Sequence, residues 1–487
     1  VNTIVQSFLL ENKINFATNE GQLSTDFQKL NPVITVFPAD FFELEKTIKI
    51  LSANKIKFHV VSKGHNWGYG DKNSKLICTC SIDLRKMNKI IRYDQALGTL
   101  EIEPGVTQKQ IYLYLNELKS PWCLDITGAD SNSSIVGNYL ERGFGHTFYG
   151  DHEDKGKILE AITPQGKVFN PHFIFSNESR VRGLYQHDLS LNLEKIFYQT
   201  NFAIVTKFLV KLKPRNQKTI LAVVLNKNAT SEFELIQKIS HLKMHEVVNS
   251  IPHIANFERV NKVSEVSVKT KFKYAATIDI SGTKELACLR KKLISKTFAK
   301  DKVYFFTKAN LFVLEKLISW RFIPAVYKEN FQNVKSLFDL IDGIPTDYFV
   351  KNSLGADFMQ NPKKSLWIAP LFPISEEAFL RLKAILEEVT LKYNFNLATT
   401  VSLISDRLAV CVADITLNSN DEKSLQLGLT CYQELVERLF KEGFPLYRMG
   451  YAHSEMPKNS EYFVEIYKSI KNIFDPDDLL SPGRWLK

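Results

Sequence analysis

The segment Ser62-Lys63-Gly64-His65-Asn66-Trp67-Gly68-Tyr69-Gly70 constrains the fold more than any other part of the chain. Its glycines admit left-handed φ and expose successive backbone N–H groups, and such a nest can take a pyrophosphate without a helix N-terminus. Taken alone it reads more readily as a tight glycine turn. Its context narrows the choice. Val33-Ile34-Thr35-Val36-Phe37 is β-branched, short and closed by Pro38, which predicts a buried strand. Asp40, with Glu43 three residues on, predicts a capped helix with Phe41, Leu44, Ile48 and Leu51 on one face. Phe58-His59-Val60-Val61 then reads as a second strand that runs into the glycines.

A later unit repeats the idea: a strand over 99–103, the turn Pro104-Gly105, and a helix capped by Thr107 with Gln110 that carries Ile111, Leu115 and Leu118. Strands are expected over 158–163 and 203–212, and Leu76-Ile77-Cys78-Thr79-Cys80 reads as another, with both cysteines on one face. Pro214-Arg215 breaks this pattern. From there to about residue 440, strands such as 220–225 and 274–280 alternate with helices such as 376–392, a separate α+β unit; from Lys441 the dense, motif-like sequence resumes. The expected organisation is therefore 1–213, an insert over 214–440, and a returning segment 441–487.

Composition excludes several classes. The 487 residues, 44% hydrophobic and 24% charged, describe a folded chain of more than one unit. The net charge of +10 is spread over scattered lysines without a dense basic run, so nucleic acid is not an expected partner. No apolar run approaches the ~18 residues that cross a bilayer, so no membrane partner is expected. The six cysteines form no CxxC pair or disulfide framework, and a reducing, cytoplasmic setting is expected. His241 and His245 share a helical face, but no third ligand accompanies them, and no metal site is expected. Residues 150–157 fall short of a phosphate loop because Ile158 stands where a Ser or Thr would be needed.

A second cluster, Gly137-Asn138-Tyr139-Leu140-Glu141-Arg142-Gly143-Phe144-Gly145-His146-Thr147-Phe148-Tyr149-Gly150-Asp151-His152, is too rich in glycine and ionisable groups to be core, so it reads as a ligand surface. Gln199-Thr200-Asn201-Phe202-Ala203-Ile204-Val205-Thr206 sets amides just before a strand, and Tyr447-Arg448 precedes the tail Asp475-Pro476-Asp477-Asp478-Leu479-Leu480-Ser481-Pro482-Gly483-Arg484. In this order the segments resemble the vanillyl-alcohol oxidase / p-cresol methylhydroxylase family of flavoenzymes, over about residues 30–213 and 441–487.

The resemblance implies an α+β protein: a two-subdomain FAD-binding domain formed by both chain ends, with an inserted α+β cap domain. Lys63, Gly64, His65, Asn66, Trp67, Gly68, Tyr69 and Gly70 would hold the pyrophosphate of FAD. Ser133, Gly137, Asn138, Gly145, Asn201 and Ile204 would line the cofactor, with Arg484 near its pyrimidine edge. Tyr447 and Arg448 would hold a phenol and Asp151 would lie near flavin N5. FAD would be non-covalent, or attached once through His65, because Ser365 occupies the cap position from which phenol-oxidising relatives attach it. A third phenol-binding tyrosine and the cap's histidine pair are not found; Ser405-Asp406-Arg407-Leu408 stands in the matching region. The implied activity is hydride transfer from the side chain of a para-substituted phenol or aromatic alcohol to FAD, with oxygen or a carrier as final acceptor. A diverged biosynthetic flavoenzyme with a non-phenolic substrate and a non-catalytic flavin-binding protein remain alternatives. A small molecule is the expected partner, and a homodimer stays open.

Overall fold

The computed structural model describes the chain apart from residues 1, 19–33, 71, 73–79, 173–180, 182, 186, 188–190, 227–231, 265–271, 321–322, 358–364, 418–421, 451–460 and 485–487. The fold is α+β. Its first sheet runs in the order Phe16–Thr18, Ile34–Val36, Cys80–Asp83, Phe58–Val61, the last three strands parallel to one another. Helix Phe41–Ala53 covers it with Leu44, Ile48 and Leu51, all fully buried. Asp40 caps this helix by accepting the Glu43 N–H at 3.0 Å, while the Glu43 carboxylate reaches back to the N–H of Ala39 rather than to Asp40. Cys78 lies outside the described residues; Cys80 is fully buried at the start of its strand.

A second sheet, antiparallel throughout, has the order Ile90–Asp94, Thr99–Ile102, Ile204–Lys211, Gly156–Ile162, Val168–Phe169. Helix Gln108–Glu117 packs on it, and the predicted Thr107/Gln110 capping box is reciprocated. Far along the chain, helix Glu461–Phe474 leads back to the first sheet. There Phe58 N–H donates to Leu479 O and Ser481 N–H to Phe58 O, so 479–481 add to the sheet's edge beside Phe58–Val61. The buried Asp475 carboxylate holds the turn, accepting from the N–H groups of Leu479 and Leu480 and from Lys471 Nζ.

The third sheet spans the insert. Its order is Lys302–Phe306, Leu221–Asn226, Tyr274–Asp279, His253–Asn256, Ala398–Leu403, Leu408–Thr416, Ser365–Ile368, all antiparallel. Alternate side chains point to opposite faces. One face, with Val224, Ile254, Ala276 and Val401, packs under helices Glu232–Met244, Lys284–Thr297, Glu376–Lys392 and Glu422–Lys441. The other carries Val223, His253, Thr277 and Ser402 and walls a cavity.

Candidate active site

The cavity has a volume of about 770 Å³ and lies between the loops of the first two sheets and the open face of the third. Loop 62–70 forms one wall. Gly64, Gly68 and Gly70 take φ of +72°, +76° and +114°, the left-handed region the sequence called for. At Gly68 a Cβ would lie 2.5 Å from Cγ of Trp367, whose N–H donates to the Gly68 carbonyl at 3.0 Å. This glycine is thus where the loop meets strand Ser365–Ile368.

The loop is anchored by a residue that sequence reading passed over. Asp130, fully buried, accepts from His65 Nδ1 at 3.0 Å, Trp67 Nε1 at 2.9 Å, Ser133 Oγ at 2.8 Å and the Asn132 N–H at 2.9 Å. Burial pushes its carboxyl up, but the bonds from His65, Trp67 and Ser133 outweigh burial and hold it below the usual carboxylate range. An ionised Asp130 requires a proton on His65 Nδ1, so that ring nitrogen is committed to the carboxylate. A carboxylate amid small polar residues carries little signal in one sequence; only the fold shows that it gathers the loop.

Opposite lies an aromatic and cationic cluster. The guanidinium of Arg448 sits 5.2 Å from the ring centroid of Tyr69 and 5.4 Å from that of Tyr447. Arg448 Nε and one terminal nitrogen donate to Glu141 O at 3.1 and 2.7 Å, and the other terminal nitrogen donates to Asn66 Oδ1 at 3.3 Å. Gln199 donates to the carbonyls of both Glu141 and Tyr447, tying three distant segments at one point. Burial raises the pKa of both tyrosines, that of Tyr69 strongly, so both stay neutral hydroxyls. No described residue hydrogen-bonds to either phenolic oxygen. The sequence alone places Tyr69 only in the cofactor loop; the fold also sets its ring against Arg448.

A histidine pair also emerges, with one member from each part of the chain. His146 comes from the glycine-rich cluster and His253 from the third sheet, with ring centroids 4.2 Å apart, and Phe144 bridges His253 to Tyr447. Burial pushes His146 down to about 4 and His253 well below its usual range, so both are uncharged at neutral pH. His253 Nδ1 meets Ser402 Oγ at 2.8 Å, while Nε2 is buried without a partner.

Lys63, Gly64, His65, Asn66, Trp67, Tyr69, Gly70, Ser133, Gly137, Asn138, Asn201, Ile204, Tyr447, Arg448 and Arg484 all line the cavity. Asn201 does so with its amide engaged, donating to Leu480 O and Ser481 O and accepting from Tyr467. Arg484 pairs with the Glu141 carboxylate. Three expected residues stand elsewhere. Gly68 packs on Trp367, and Gly145 lies so close to Asp125 that a Cβ would fall 2.1 Å from its Oδ2. Asp151 is exposed off the cavity wall, where its carboxylate accepts the Glu153 N–H at 3.1 Å. Ser365 hydrogen-bonds to Asp414 and accepts from Trp367 Nε1, and it too is off the wall.

The family described as FAD binding domain matches residues 32–170. The chain is 23% identical to 1'-carboxy-chondrochloren decarboxylase of Chondromyces crocatus, over 92% of this chain and 90% of that protein. It is also 23% identical to the flavoprotein subunit of 4-cresol dehydrogenase [hydroxylating] from Pseudomonas putida, over 91% and 85%. Among solved structures, 4-ethylphenol oxidase from Gulosibacter chungangensis superposes with a TM-score of 0.86 at 18% identity, covering 100% of this chain and 97% of that one. p-Cresol methylhydroxylase with substrate bound gives 0.84 at 21%, covering 99% and 96%. Residues 32–170 thus form an FAD-binding domain, and over its length the chain is similar to flavoprotein oxidoreductases of the p-cresol methylhydroxylase type.

The residues present suit that cofactor. A left-handed glycine loop with Lys63 on it, and Arg484 at the returning edge, offers the N–H groups and cations that a diphosphate needs. Beside them His59 is buried against Ser481 with its pKa lowered to about 3, by burial first and by Arg484 second, so it adds no competing charge. Among the described residues no cluster of metal-binding side chains occurs and no helix is long and apolar enough to cross a membrane.

Proposed function

We propose that this chain oxidises the side chain of a para-substituted phenol. One observation carries the reading: Arg448 lies against both Tyr69 and Tyr447, whose hydroxyls have no hydrogen-bond partner among the described residues, on the wall of the cavity that the FAD loop borders. The names of 4-cresol dehydrogenase and 4-ethylphenol oxidase agree with it.

When bound, FAD supplies the two-electron acceptor. The chain's own residues prepare the substrate. Hydride leaves a benzylic carbon readily only if the ring oxygen carries negative charge. A guanidinium within about 4–6 Å lowers a phenol's pKa by favouring the ionised form. Three of the five guanidinium N–H groups of Arg448 face Glu141 O and Asn66, which leaves two for the substrate oxygen. Tyr69 and Tyr447 stay protonated and donate to that same oxygen. With Asp151 off the cavity wall, polar contact to the substrate's side chain we assign to the His146–His253 pair, whose neutral imidazoles can each donate or accept a hydrogen bond.

Anaerobic titration tests the reading. Stoichiometric 4-methylphenol or 4-hydroxybenzyl alcohol should bleach the yellow protein; bleaching by non-aromatic substrates alone would overturn it. Any covalent attachment should run through His65 Nε2, because Nδ1 is held by Asp130. Acid precipitation should then leave flavin in the wild-type pellet and none in that of His65→Ala. Yellow pellets from both would rule His65 out.

A further inference from the structure

The cavity continues well past the phenol site. Strand registers place Ser402 opposite His253, His253 opposite Thr277, Thr277 opposite Val223, and Val223 opposite Tyr304. All five side chains line the cavity, so one cross-strand row forms its floor. His253, at the inner end, touches the group around Phe144 and Tyr447. Tyr304, at the outer end, lies on the sheet's edge strand and is 46% exposed. Three strand steps of about 4.8 Å separate them, a span of about 14 Å.

The roof is one helix face. Asn330, Asn333, Val334 and Leu337 follow the i, i+3, i+4, i+7 spacing on helix Ala325–Ile341, and all line the same cavity. Val223, Leu225, Phe306 and Leu337 make the passage largely apolar. Among the polar groups that share its walls, Asn333 is short of a partner. Asn333 Nδ2 donates to Ser264 Oγ, whose own proton goes to Val260 O, and this fixes the amide so that Oδ1 is left buried and without a partner.

We propose that this passage holds the linear apolar tail of an elongated substrate, its head at Arg448, its tail along the row from His253 to Tyr304, and a hydrogen-bond donor in the tail meeting Asn333. The proposal rests on the phenol reading for the head alone. An extended chain advances about 1.2 Å per atom, so the floor accommodates about twelve atoms beyond the ring. A short phenol would leave the passage to water, whereas a long one buries methylene groups against the two walls.

A homologous series decides it. Flavin reduction and binding are measured with 4-methylphenol, 4-butylphenol and 4-octylphenol on FAD-loaded wild type, Val223→Phe and Val334→Phe, the second variant guarding against misfolding of the first. In the wild type, affinity should rise about threefold to fourfold per added methylene. In either folded variant the preference for octyl over methyl should collapse to within about tenfold. A flat series in the wild type, or a preference untouched in both variants, overturns the tail site and leaves the phenol reading standing. If no phenol reduces the flavin, n-decanol replaces the series as a headless probe. Decanol bound by the wild type and lost in the variants upholds the passage and discards the phenol head; decanol bound by none of them discards the passage as well.

Discussion

Arg448→Met is expected to slow flavin reduction by 4-alkylphenols about a hundredfold at neutral pH, about 2.7 kcal/mol of transition-state stabilisation. The size follows from the arrangement. Arg448 is buried beside Tyr69 and Tyr447, and replacing a cation next to the bound phenol with a neutral side chain removes the interaction that favours the phenolate. The loss should shrink as pH rises towards the phenol's own pKa, because the substrate then arrives already ionised. A structural role alone predicts no such dependence. Arg448→Lys should recover part of the rate, since an ammonium keeps the charge but not the fork shared by Glu141 and Asn66. Rapid anaerobic mixing measures both; an unchanged rate, or a pH-independent deficit with normal FAD content, would remove Arg448 from the chemistry.

Asp130→Ala should be the most damaging single change to cofactor retention. It strips the acceptor from His65, Trp67, Ser133 and the Asn132 N–H at once, and the buried Ser133 hydroxyl left without a partner alone costs about 1–3 kcal/mol. The purified variant should be nearly colourless and melt well below wild type. Asp130→Asn, which keeps one acceptor oxygen, should fall between. The pH dependence has a defined sign. The Asp130 carboxyl is held below its ordinary value of 3.8, so its contribution is complete above that value and disappears as pH falls through the lower, folded-state pKa. The difference in stability between wild type and Asp130→Ala should therefore be level from pH 8 to about pH 5 and shrink only in stronger acid. A difference that already declines between pH 8 and pH 6 would point to another group.

The two helix caps and the glycine loop were legible because each is written in adjacent residues. Thr107 finds Gln110 three positions on, and left-handed φ at Gly64 needs no distant partner. What escaped depends on register. His253 meets His146 across more than a hundred residues, and nothing local distinguishes it from an ordinary strand histidine. Tyr69 was read only as part of the loop because its neighbour Arg448 returns nearly four hundred residues later. Conversely, Gly68, Gly145 and Asp151 stand in motif positions, but the packing of Trp367 and Asp125 puts the two glycines to structural use, and the backbone turn at Glu153 draws the carboxylate outward. Motif spacing names which residues gather; only strand pairing determines which of them face the cavity.

The edge addition of residues 479–481 beside Phe58–Val61 bears on how the protein is made. Arg484, Ser481 and Leu480 help wall the cavity, and Asn201 and Lys471 bind the carbonyls of that same segment. A nascent chain that has completed loop 62–70, the glycine-rich cluster and the whole third sheet still presents an open-sided pocket. No ribosome-bound intermediate that stops before Arg484 contains every contact, so stable flavin capture belongs to the period after translation has passed that residue. Until then the unpaired edge at Phe58–Val61 is a strand awaiting its neighbour, and cells starved of flavin or slowed in elongation should accumulate this chain in a form that proteases recognise.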